Sequence, residues 1–184
     1  MISRRAITGS LLAACALPQA QAPARAGSAA EINAEVNLTL ERFFYIVPGS
    51  YALAARAAGV LVFPTVIKAG FGFGGEYGEG AMRVAGRTVA FYNVISASVG
   101  FQIGAQARSV IIMFMTPHAL ANFQRVDGFR IGVDGSVVLV VVGAGGSIDT
   151  DKITSPVVGF IADSKGLMYN LTLEGSKISR IYPY

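Results

Sequence analysis

The 184-residue chain is poor in the side chains that usually carry chemistry. It has one cysteine, Cys15, and one histidine, His118. A lone cysteine excludes an internal disulfide, and so few sulfur and imidazole groups exclude the usual zinc sites. A Ser-His-Asp triad would have to recruit His118, but no G-x-S-x-G elbow precedes a helix. His118 reads instead as a solvated residue in the first turn of a helix. Charge is sparse as well, with 14% of residues charged against 53% hydrophobic. No apolar run approaches the ~18 residues of a spanning helix. The longest, 110–115 and 137–146, are strand-sized and rich in Val and Ile.

The formal charge of +4 is concentrated at the start of the chain. Removing Arg4, Arg5 and Arg25 from the 15 basic side chains leaves 12 against 11 acidic ones in residues 27–184. A nearly neutral domain lacks the basic stripe that displaces phosphate counterions, so no nucleic-acid partner is expected.

Glycine, by contrast, is plentiful, with 22 residues. Gly70-Phe71-Gly72-Phe73-Gly74-Gly75 formally contains G-x-G-x-x-G, but a dinucleotide site needs a helix opening at the last glycine. Here Glu76-Tyr77-Gly78-Glu79-Gly80 follows, and its carboxylates would repel a pyrophosphate. Gly143-Ala144-Gly145-Gly146 lacks the lysine and hydroxyl of a P-loop. Asp149-Thr150-Asp151 lacks the spacing and terminal glutamate of a calcium loop and reads as a turn. No enzyme site, metal site or cofactor is expected.

Residues 1–26 have the parts of an export signal: basic residues, an apolar stretch from 6 to 17, and small residues at the end. Ser3-Arg4-Arg5-Ala6-Ile7 resembles the twin-arginine type, and Ala24-Arg25-Ala26 supplies a cleavage site before Gly27. Leu12-Ala13-Ala14-Cys15 also matches a lipobox, in which Cys15 would carry a lipid anchor. Either reading makes the domain periplasmic or exported.

Ser28-Ala29-Ala30-Glu31 is a capping box. Beyond it Ile32, Val36, Leu40, Phe43 and Phe44 form the apolar stripe of an amphipathic helix over 29–47, ended by Pro48-Gly49. Ser50 is expected to cap a short second helix that Gly59 ends. The stripe has two destinations, the domain's own sheet or a lipid surface. Three acids and one base in 29–47 argue against simple attraction to anionic lipid.

From Gly59 onward the chain reads as strands. Phe71 and Phe73 alternate with glycines, and Val99, Phe101, Ile103 and Ala105 alternate with small and polar residues. A bare glycine face persists where another backbone comes very close or a sheet bends sharply. Further strands are expected at 88–95, 129–133, 137–142, 156–162 and 167–174, with a helix over 117–126 opened by Thr116-Pro117. The fold class is α+β: a strongly coiled, barrel-like antiparallel sheet with an N-terminal helix, a short second helix and a third near 117–126.

This block resembles the SYLF domain family, the bacterial lipid-binding or yeast actin-patch type. The resemblance is carried by GVLVFPTVIKAGFGFGGEYGEG at 59–80, SASVGFQIGAQARSVIIMFMT at 96–116, GVDGS at 132–136, GAGGSID at 143–149 and KGLMYNLTLEGSKI at 165–178. It extends over about 31–181, so 27–184 is expected to be one domain. The family implies lipid binding. Its eukaryotic members are similar in bearing an amphipathic segment, bind phosphoinositide membranes and, in fungi, bind actin filaments and act in endocytosis. Neither phosphoinositides nor actin is expected in a bacterial periplasm. What carries over is general affinity for phospholipid or a membrane surface, through Ile32, Val36, Leu40, Phe43 and Phe44 or an apolar groove beside the glycine faces. Lys68, Arg108 and Lys177 are the candidate headgroup contacts. The alternative is a periplasmic structural or protein–protein interaction module whose helix belongs to its core.

Overall fold

The computed structural model describes residues 27–141, 154–165, 173 and 175–184, with the backbone alone at 70–73, 98–105, 140–141 and 162–165. The leader with Cys15, the glycine run 143–146, the Asp149–Asp151 turn and most of the 167–174 strand lie outside the described residues.

The chain runs α1 (Ala29–Ile46), α2 (Ser50–Arg56), β1 (Gly59–Val84), β2 (Arg87–Phe114), α3 (Pro117–Arg125), β3 (Phe129–Arg130), β4 (Val138–Val141), β5 (Val157–Lys165) and β6 (Lys177–Ile181). The fold class is α+β. Among the described residues one six-stranded sheet has the order β3-β6-β2-β5-β4, with β1 paired along the other edge of β2.

Local chemistry starts α1 and α3 as expected. The Ser28 hydroxyl accepts from the Glu31 N–H at 3.3 Å, and the Glu31 carboxylate accepts from the Ser28 N–H at 2.8 Å. Hydrogen bonding of the Glu31 carboxylate by Ser28, the backbone N–H first and then the side chain, holds that carboxyl below its ordinary pKa. Thr116 caps α3, with proline at its start. Ser50 departs from expectation. It is the first residue of α2, whose N-cap is Gly49, and its hydroxyl donates to the Val47 carbonyl at 2.6 Å. The side chain therefore closes the end of α1 rather than opening α2. Gly59 does not end α2 either. It begins β1, and a Cβ there would lie 2.9 Å from Leu120 Cδ1 of α3.

The strands expected at 88–95 and 98–106 and the apolar run beyond them are one continuous strand, β2, zipped against β1 from Gly59↔Phe114 to Val84↔Arg87. On its far edge β2 pairs with β6 over 91–95 and with β5 over 107–114. Two features correct the expected antiparallel sheet. β4 runs parallel to β5, and 129–133 is a two-residue strand followed by a turn, with Ile131 bridged to Gly135. β6 was not anticipated, because Lys177-Ile178-Ser179-Arg180-Ile181 buries a single side chain, Ile178.

Alternation sorts the strands between two cores. Leu61, Phe63, Val110, Ile112 and Phe114 point to one side, where Phe123 of α3 packs with its ring centroid 4.9 to 5.2 Å from those of Phe114, Tyr92 and Phe129. Val60, Val62, Ile111 and Met113 point to the other, where α1 and α2 lie. Both faces are covered, which is why these strands read as unbroken apolar runs.

The long hairpin also folds back on itself. Lys68 and Glu76 lie eight residues apart on β1, roughly 26 Å along a straight strand, yet their charged ends meet at 3.2 Å. The bend between them coincides with a register shift at Gly70/Gly72. It brings Gly78 and Gly80 onto the first half of the same strand. A Cβ on Gly78 would lie 2.8 Å from the Thr65 carbonyl oxygen, and one on Gly80 would overlap the Val62 carbonyl. Close backbone approach is therefore found at Gly78 and Gly80, outside the alternating glycines for which it was expected.

Candidate functional site

The apolar stripe of α1 is docked on the sheet. Ile32, Val36 and Phe43 are buried, and Leu40 and Phe44 pack half-buried against the same core. The Phe43 ring centroid lies 5.3 Å from that of Phe160 on β5. Each such large side chain contributes roughly 1.5–3 kcal/mol by leaving water, so releasing the stripe into lipid would first forfeit that amount per residue. In this structure those five side chains face the protein and not a membrane.

The three candidate basic contacts have different surroundings. Arg108 Nη2 meets Glu76 Oε2 at 2.6 Å, with the two side chains 4% and 3% exposed. Lys68 closes on the other oxygen of the same carboxylate and is 16% exposed. This triad ties the two halves of the folded hairpin together. Lys177 is exposed on β6, with its stem against Gly128. Arg108 is thus buried here with its charge compensated by Glu76.

His118 is exposed and lies beside Asn122, 3.5 Å away. Among the described residues no group of three His, Cys, Asp or Glu converges to hold a metal, and no helix is long and apolar enough to cross a membrane.

Two features of the helical layer escaped the sequence reading. The first is an apolar stripe on the outer side of α1. Leu38 is 65% exposed and Tyr45, seven residues and two turns further, is 90% exposed; both point away from the docked stripe. The second is a half-open cavity of about 360 Å³ between α1, α2 and the β1–β2 turn. Leu40 and Phe44 of α1, Tyr51, Ala54 and Ala57 of α2, and Val60 of β1 form its apolar walls. Tyr51 stands edge-on to Phe44 at 5.4 Å. Asn37, Arg83 and the turn residues Ala85 and Gly86 complete the lining.

Arg83 is the cavity's only ionisable lining group apart from the Tyr51 phenol. Its Nη2 donates to Asn37 Oδ1 at 2.7 Å and to the Asn33 carbonyl at 3.5 Å, and Nη1 donates to the Gly86 carbonyl at 3.3 Å. Burial pushes its pKa below the ordinary arginine value. Nε is buried and has no acceptor. A second bond, from the Thr88 hydroxyl to Asn33 Oδ1 at 2.6 Å, fixes α1 against the same end of the hairpin. The turn itself holds Ala85 at φ +47° and Gly86 at φ +75°. Both are in the left-handed region that a tight two-residue hairpin turn requires.

Comparison with known proteins agrees with the strand block. Residues 95–181, from β2 through β6, match the model of the Ysc84 family, described as Las17-binding protein actin regulators. The chain is also 30% identical over 141 residues to an SH3 domain-containing protein of Schizosaccharomyces pombe. That match takes in 71% of this chain and 31% of the yeast protein, so the chain spans about a third of that relative's length. The cavity residues, from Asn37 to Gly86, precede the segment matched by the family model. By its strand block and this relative, the chain belongs to the Ysc84, or SYLF, family of binding domains.

Proposed function

We propose that the chain is a non-enzymatic, exported lipid-binding domain that meets a phospholipid surface through the outer side of α1. The observation that carries this reading is the exposed pair Leu38 and Tyr45, apolar or amphipathic side chains that the fold does not use. Tyrosine suits such a place because its ring enters the apolar boundary while its hydroxyl stays wet. The twin-arginine-like leader supports export, and Cys15 offers a covalent anchor if it is retained. The docked stripe stays on the sheet, so binding is shallow and does not unfold the outer core. Three acids on α1 favour neutral or zwitterionic lipid over strongly anionic surfaces.

The test is flotation of the chain with liposomes of bacterial phospholipid, beside a Leu38→Ser/Tyr45→Ser variant whose fold is checked by circular dichroism. The wild type is expected to float and the folded variant to remain at the bottom. Equal flotation of both would remove α1 as the contact. No flotation of either would favour a protein-interaction module, the reading to which the family's description as Las17-binding proteins points.

A further inference from the structure

We propose that the cavity between α1, α2 and the β1–β2 turn binds a free fatty acid of medium chain length. Its carboxylate would rest on Arg83 and its chain against Leu40, Phe44, Ala57 and Val60. This goes beyond surface binding, because a monomeric ligand in solution needs no membrane and touches neither Leu38 nor Tyr45.

Size is the first argument. At about 360 Å³ the cavity lies at the lower end of the roughly 300–1,000 Å³ typical of ligand pockets. That suits one acyl chain better than the two of a phospholipid. The walls are the second: most of them come from Leu, Phe, Ala and Val side chains, with the Tyr51 ring edge-on to Phe44, a surface that recognises hydrocarbon.

The third argument is the state of Arg83. All its protein acceptors are neutral, two carbonyls and an amide oxygen, and it pairs with no carboxylate among the described residues. A buried guanidinium N–H without an acceptor costs free energy, and such an atom in a native structure calls for an explanation. A carboxylate entering along the cavity would supply the missing negative charge in a charge-assisted bond to the guanidinium. Nε of Arg108 is also without an acceptor, but Glu76 already compensates that group. The conjunction of apolar walls, uncompensated cation and orphaned donor belongs to Arg83.

The experiment is titration calorimetry of the full chain with laurate below its micellar concentration, with dodecanol as the uncharged analogue. Laurate is expected to bind saturably at one site. Arg83→Gln should weaken laurate about tenfold or more, as loss of a charge-assisted bond implies, and leave dodecanol within about twofold. Arg83→Lys should recover part of the laurate affinity, and Ala55→Trp at the lining should weaken both ligands while the far-ultraviolet spectrum stays native. Absence of saturable laurate binding by the folded chain would overturn the proposal. So would an equal effect of Arg83→Gln on laurate and dodecanol. Tighter binding of lysophosphatidylglycerol than of laurate would overturn the choice of a free carboxylate. Because no liposome is present, these outcomes are independent of flotation through α1.

Discussion

Arg108 and Arg83 belong to the same hairpin and have opposite surroundings. Arg108 lies where the hairpin folds back, fully buried, with a carboxylate 2.6 Å away and a lysine on that carboxylate's other oxygen. Arg83 lies at the turn end, half-buried beside an apolar cavity, with only neutral acceptors. A buried charge whose counter-charge comes from the same chain holds the fold together. One left uncompensated next to open space is arranged for something from outside. The difference separates a structural cation from a binding one more sharply than sequence does, since both appear there as single bases within strands.

The largest test of that contrast is Glu76→Ala. It leaves Arg108 buried without its partner, and thermal unfolding should show a loss of about 3–5 kcal/mol. Replacing Glu76 and Arg108 together by Leu and Met should recover most of that loss, because two apolar groups need no compensation. If Glu76→Ala is nearly neutral, Arg108 reaches water or another partner and the contrast fails.

Gly80→Ala comes next. Its Cβ would overlap the Val62 carbonyl, so the folded-back hairpin must open, at a cost of about 3 kcal/mol in denaturant unfolding. At the turn end Ala85→Gly should act in the other direction. An alanine held at φ +47° is relieved by glycine, and a gain of about 0.5–1 kcal/mol is expected. A loss instead would mean that the Ala85 methyl packs usefully against the cavity.

The smallest effect is alkaline. Burial first, and then its hydrogen bond to Glu79 at 2.5 Å, push the Tyr77 phenol up to about 12. Its ordinary value is about 10. The folded state therefore keeps the phenol protonated where the unfolded chain ionises. That contribution is intact below about pH 10 and is lost as pH rises towards 12. Tyr77→Phe should flatten the fall in stability over that window, followed by circular dichroism.

Much of the architecture was legible because its signals are local. The Ser28 to Glu31 capping box, the Thr116-Pro117 start of α3 and the strand alternation each need only neighbouring residues. A side chain's absence records how close another backbone comes at Gly78 and Gly80, which lie outside the alternating glycine faces from which the approach was expected. What escaped were relations across distance. Ser50 was read as opening α2 because its acceptor, Val47, precedes it rather than follows. The parallel pairing of β4 with β5 has no signature in Val138–Val141 alone. Arg108 and its carboxylate lie 32 residues apart, and two acceptors of Arg83, Asn33 and Asn37, stand on another element, so neither relation shows in the sequence.

By itself the sequence determined the N-caps of α1 and α3, the two-residue alternation, the α+β class and the near-neutral charge of residues 27–184, all properties set by spacing and composition. Only the tertiary structure decided which apolar stripe of α1 is covered, which arginine is compensated and where a cavity remains. Those outcomes depend on how a 26-residue strand folds back and how two helices lie across it. Burial and charge pairing are properties of residues brought together from distant parts of the chain.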